Sequence, residues 1–106
     1  MASTAGQQSM GSHAPKLAEL TDKVLFDDVW QRPGLSQRDR SVITVSALIA
    51  MNRVEQLPFH LQRARDNGVT RDEIAELITH LAFYSGWPTA ASAITVFKQL
   101  EETSCP

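Results

Sequence analysis

The stretch Arg53–Pro88, R-V-E-Q-L-P-F-H-L-Q-R-A-R-D-N-G-V-T-R-D-E-I-A-E-L-I-T-H-L-A-F-Y-S-G-W-P, holds a helix stop, a helix start and a second stop. Leu57, Leu61 and Ala64 recur at helical spacing, and Gly68 follows them as the left-handed residue that ends a helix. Thr70 then opens T-R-D-E, a capping box in which the Thr70 hydroxyl and the Glu73 carboxylate each satisfy a backbone N–H. A helix ends and another begins, so the two are expected to pack as a hairpin. The second runs from about Arg71 to Tyr84 with Ile74, Leu77, Ile78 and Leu81 on one stripe, widened by Ala82, Phe83 and Tyr84. Gly86 stops it, and Pro88 suits the first turn of a last helix, roughly Thr89–Glu102, because the N–H that proline lacks has no partner there. Pro58 leaves two readings open: the helix starts near it, or it kinks there.

Upstream, residues 1–13 are rich in Ala, Ser, Gly and Gln without periodicity and read as a flexible tail, and residues 14–103 read as one helical domain. Ala14–Leu20 is expected to form a short helix, and Thr21 to cap a further helix through about Gln31, with Asp22 near its positive end. Arg32-Pro33-Gly34 breaks that helix, and Ser36 can cap the next, which continues to about Met51. From Val42 to Met51 this helix is apolar nearly all the way round, a pattern of burial on every side. A domain of this size rarely surrounds a helix unaided, so an obligate homo-oligomer with this helix near the interface is expected. The fold class is therefore all-α, with about five to six helices.

The 106 residues carry a net charge of −2 and no basic run, which argues against nucleic acid or an acidic membrane as partner. No apolar run approaches the roughly 20 residues that span a bilayer. The single cysteine, Cys105, excludes a disulfide framework and a thiolate metal site, and points to the cytoplasm.

Three histidines are present, but His60 and His80 lack H-x-x-x-H or H-E-x-x-H spacing and His13 lies in the tail, so no metal is expected. On neighbouring helices His60 and His80 can face a shared pocket, where a neutral imidazole suits proton transfer, or can serve as hydrogen-bonded interface histidines. Arg38, Arg40 and Arg53 offer guanidinium forks for a carboxylate; Arg40, entering a buried helix, is the best placed, although a structural ion pair is the commoner use of such a residue. Trp87 and Trp30 can wall an apolar pocket or pack in a core.

Three segments, W-Q-R-P-G-L-S-Q-R-D-R-S at Trp30–Ser41, H-L-Q-R-A-R-D-N-G-V-T-R-D-E-I at His60–Ile74 and H-L-A-F-Y-S-G-W-P at His80–Pro88, resemble the carboxymuconolactone decarboxylase family. The resemblance implies a helical fold like that of alkylhydroperoxidase D, assembled as trimers or hexamers. It also implies a cofactor-free lyase or proton-transfer enzyme on a small carboxylated or lactone substrate, in aromatic degradation for the namesake. Some relatives are joined to cupin domains, so a cupin-type partner is a further expectation. His60 matches the family's motif histidine and is the candidate acid. Arg40 is expected to anchor a carboxylate and Glu55 to set the His60 tautomer, with Arg53, His80, Tyr84 and Trp87 contacting substrate. The alternative is a non-catalytic oligomeric module that binds a ligand or partner. The peroxidase branch of the superfamily has C-x-x-C where this chain has Arg53 and Gln56, so its thiol chemistry is not expected here.

Overall fold

The computed structural model describes residues 2–104, and among them six α-helices and no strand: α1 (Ala5–Met10), α2 (Pro15–Glu19), α3 (Gln37–Ala50), α4 (Leu57–Asp66), α5 (Arg71–Ser85) and α6 (Trp87–Ser104). The central stretch is α4 and α5 joined by the turn at residues 67–70, and the two helices pack chiefly on α6, not on each other. Gly68 has φ +95°; its N–H reaches Arg65 O and the Val69 N–H reaches Ala64 O, the double bond of a Schellman stop. Val69 is buried, closing the motif against the core. Thr70 Oγ1 accepts from Glu73 N at 3.1 Å while Glu73 Oε1 accepts from Thr70 N at 2.9 Å, completing the capping box. Pro58 lies in the first turn of α4, so the helix starts there and is not kinked. α5 ends at Gly86, whose φ of +105° few other residues adopt.

Two compact units divide the chain between Gln37 and Arg38. The core of the second unit unites Val45 and Ile49 of α3, Leu57, Leu61 and Ala64 of α4, Ile74, Ile78 and Ala82 of α5, and Ala90, Ala93 and Phe97 of α6. Small residues on α6 let it lie close to α5. Ion pairs Arg38–Glu73 and Arg65–Glu101 tie helices together at the surface, where such pairs contribute about 0–1 kcal/mol each. At its C-terminus α3 turns on Asn52, a left-handed non-glycine at φ 56°, with Asn52 N bonded to Ile49 O and Arg53 N to Leu48 O, again a Schellman stop.

One apolar expectation changes. Phe83 and Tyr84 do not widen the buried stripe of α5 but are 73% and 77% exposed, because the stripe centred on Ile74 and Ile78 turns them outward. α3 buries Val45 and Ile49 but leaves Ile43 exposed, with Met51 exposed just beyond its end, so one chain does not enclose the helix, in line with the expectation for its apolar run.

In the first unit, Ala5–Met10 is helical although the sequence there shows no periodicity. Its missing signal lies elsewhere in the chain. Asp22, buried, accepts from Gly6 N at 2.7 Å, Gln7 N at 3.0 Å and Ser3 Oγ at 2.8 Å, placing a carboxylate at the positive end of α1. Burial pulls the Asp22 carboxyl up, but the Gly6, Ser3 and Gln7 donors outweigh it and hold it below the ordinary value. The expected cap at Thr21 is corrected. The helix already begins at Pro15, and Thr21 Oγ1 donates back to Leu17 O at 2.8 Å. From Leu20 to Phe26 the helix widens to π geometry, and a 3₁₀ turn follows at Val29–Gln31, so the helix expected from Thr21 to Gln31 is broken into two forms. Trp30 is buried there in a tilted contact with Phe26.

Candidate functional site

Residues Leu57, Leu61 and Ala64 fix the rotation of α4, since all three point into the core. His60, one step off that stripe, is consequently half-buried. Arg63 and Asn67 follow it at i+3 and i+7, so the three side chains form one row along the helix. Asn67 Nδ2 donates to Ser41 Oγ at 3.0 Å, and Ser41 is fully buried in the first turns of α3. Asn67 is thereby held against α3, with His60 about 10 Å along the row from that point. Arg40 immediately precedes Ser41 and is half-buried. Arg40 Nε, His60 Nδ1 and Arg63 Nε are all buried atoms.

The His60 ring meets the Phe59 ring edge-on at 5.0 Å. Burial first, and then the positive charge of Arg63, push the His60 imidazole below its ordinary 6.5, so it is neutral at pH 7. Arg63 is strained by the same surroundings: burial lowers its proton affinity, and Asp66, one turn further along, offsets only part of that.

The other expected site residues lie elsewhere. Glu55 lines an open cleft of about 380 Å³ with Val54 and Pro58 on one side and Val96, Gln99, Leu100 and Thr103 of α6 on the other. His60 lies about 160° round α4 from Pro58, so Glu55 borders the α6 flank while the imidazole lies on the other side of the helix. Arg53 is an exposed residue of the turn between α3 and α4. His80 and Tyr84 come together with ring centroids 4.9 Å apart, both exposed, on the side of α5 opposite its buried stripe. Trp87 walls an apolar cleft of about 330 Å³ between α5 and α6 with Ile78, Ala82, Ala90 and Ile94, while its outer face meets Phe83 at 5.3 Å. Within one chain the structure thus joins His80 to Tyr84 and sets His60 in a row with Arg63. Arg63 was missed by sequence reasoning; its spacing, three after His60 and four before Asn67, was the available signal. Among the described residues no three His, Cys, Asp or Glu side chains group as metal ligands, and no helix is long and apolar enough to cross a membrane. Cys105 lies outside the described residues.

These features define a class: an all-helical domain with a half-buried, neutral histidine on the first turns of a capped helix pair. The chain belongs to the carboxymuconolactone decarboxylase family, whose model matches residues 15–99. It is 43% identical over 79 residues to the 4-carboxymuconolactone decarboxylase of Acinetobacter baylyi, a match covering 71% of this chain and 59% of that protein. It is 38% identical over 78 residues to the nitrosuccinic acid decarboxylase of Metarhizium robertsii, covering 74% of this chain and 54% of that protein. The chain therefore spans little more than half the length of either relative.

Proposed function

We propose that this chain is a decarboxylase-type lyase acting on a small carboxylated molecule, with His60 as its proton-transfer residue and Arg40 as a carboxylate anchor. The half-buried neutral imidazole in a row with a cation carries this reading. Two relatives named as decarboxylases, one for a lactone and one for an open-chain acid, support it and make the carboxylate, more than the ring, the shared feature of their substrates.

Decarboxylation breaks a carbon–carbon bond, releases carbon dioxide and leaves an electron pair on carbon that a proton must quench. A carboxylate arriving beside His60 opposes the push of burial and of Arg63 and raises the ring's proton affinity. The imidazolium then gives its proton to the carbon and is recharged from water, with no cofactor taking part. Glu55, at the mouth of the α6-side cleft, and the exposed pair His80 and Tyr84, with Trp87 and Arg53, are contacts for the rest of the substrate or for a second subunit. The exposed Phe83, Tyr84 and Trp87 favour a homo-oligomer, since buried aromatics of this size usually anchor interfaces.

The test is carbon dioxide release from 4-carboxymuconolactone and nitrosuccinate by the wild-type chain and by His60→Ala. The variant is expected to lose about 10²- to 10⁴-fold in rate while keeping its helical circular dichroism and its molecular mass. Equal rates in the two proteins would remove His60 from the proton-transfer role, and no release from either acid by the wild type would remove the lyase reading.

A further inference from the structure

We propose that the open cleft between the start of α4 and the last turns of α6 binds a small organic amine, with Glu55 holding the ammonium and the hydrocarbon walls holding its body. The site lies on the other side of α4 from His60 and stands independently of the lyase reading.

Its two banks are helices that pack directly on one another, so the cleft exists before any ligand arrives. Leu57 and Leu61 of α4 and Phe97 of α6 share the buried core, and the Arg65–Glu101 pair ties the same helices at the surface. A volume of about 380 Å³ falls in the range of clefts that take small ligands. Val54 and Pro58 on one bank and Val96 and Leu100 on the other make its surface mostly hydrocarbon.

The polar groups are few and they face each other across that hydrocarbon: Glu55 on the α4 bank, Gln99 on the α6 bank. Neither side chain makes a hydrogen bond or ion pair with another described residue. Thr103, by contrast, turns its hydroxyl back to Leu100 O at 3.0 Å. A free carboxylate is by itself ordinary on a surface, as at Glu76 on the exposed side of α5. What sets Glu55 apart is the apolar cleft beside it and the second free polar group opposite.

Charge then selects the ligand. Glu55 is the one charged side chain that lines the cleft. The helix ends nearby offset one another, because α4 brings its amide end and α6 its carbonyl end. An anion would meet Glu55 as a like charge, so Glu55 is assigned to a ligand other than the acid processed at His60. An ammonium gains a charge-assisted hydrogen bond from the carboxylate, and an alkyl or aryl body gains from leaving water between the two banks.

The probe is 2-phenylethylamine, read through the methyl signals of Val54, Val96 and Leu100 by NMR in the full chain at pH 7. Its neutral and anionic counterparts are 2-phenylethanol and phenylacetate. The amine is expected to shift these signals saturably, the alcohol to bind more weakly, and phenylacetate to leave them in place at the same concentrations. Glu55→Gln removes the charge at constant shape in an exposed residue of the turn before α4, so the fold is expected to be kept. Amine affinity should fall about fivefold or more in this variant, to the level of the alcohol, and stay unchanged in Glu76→Gln. The proposal is overturned if the amine leaves the methyl signals of the wild type unmoved, if phenylacetate shifts them as strongly as the amine, or if Glu55→Gln binds the amine within about twofold of the wild type. Neither result depends on carbon dioxide release.

Discussion

At the scale of single residues, the environment of His60 predicts a pH dependence whose sign can be fixed. Its folded value lies below the 6.5 of an ordinary histidine, through burial and the Arg63 charge. Between the two values the unfolded chain binds the proton more readily than the folded one, so protons favour unfolding there. The contribution of His60 is thus fully present above about pH 6.5, is lost progressively as the pH falls below it, and levels off once the folded value is passed. NMR titration should give His60 a midpoint below the 6.5 of an ordinary histidine. Urea midpoints should fall between pH 7.5 and 5.5 in the wild type and fall less in His60→Gln, which has no proton to take up. An equal fall in both proteins would show that His60 is not the titrating group. The histidine itself was legible in the sequence through its family motif, but its charge state was not. That state depends on Arg63 and on the depth of the α3–α4 face, which only packing establishes.

Among the elements, the α4–α5 pair was the most legible because every signal in it is local. Gly68, Thr70, Glu73 and Gly86 act within a few residues of their own positions, and the structure uses each as its type demands. Gly68 offers a clean test, since a Cβ added there would meet nothing within 4 Å. Only its left-handed backbone resists substitution, and Gly68→Ala is expected to destabilise by about 1 kcal/mol, seen as a lower urea midpoint with an unchanged slope. A loss below a few tenths of a kcal/mol would mean that the stop tolerates a side chain. The N-terminal elements were illegible for the opposite reason. The helix at Ala5–Met10 is capped by a carboxylate 16 residues away in sequence, at Asp22. Its close fit also needs Gly6, where a Cβ would lie 2.6 Å from Ala18 O. No window of local periodicity contains such a contact. The same limit applies to Glu55 and His60, five residues apart in sequence yet on opposite flanks of α4 once the helix begins at Leu57.

For the molecule as a whole, the unresolved balance is apolar surface. A chain of 11.7 kDa that exposes Ile43 on α3 and Met51 just beyond it, and Phe83, Tyr84 and Trp87 around the α5–α6 corner, keeps in water the groups that a core or an interface would cover. The apolar run of α3 anticipated this from sequence. The aromatic corner did not announce itself, because Phe83 and Tyr84 continue the apolar pattern of α5 and only its rotation shows which way they point. Each exposed aromatic forfeits roughly 1.5–3 kcal/mol of burial, which a contact between identical chains of about 800 Å² per partner would recover. The chain is accordingly expected to elute as a multiple of its own mass in size-exclusion chromatography with light scattering, at concentrations of roughly 10 μM and above. Phe83→Asp with Trp87→Asp should shift it to the monomer without loss of helical content, because both side chains lie outside the buried cluster. A wild-type monomer at that concentration would end the case for self-association. An oligomer indifferent to the two aspartates would move the contact to the Ile43 and Met51 face of α3.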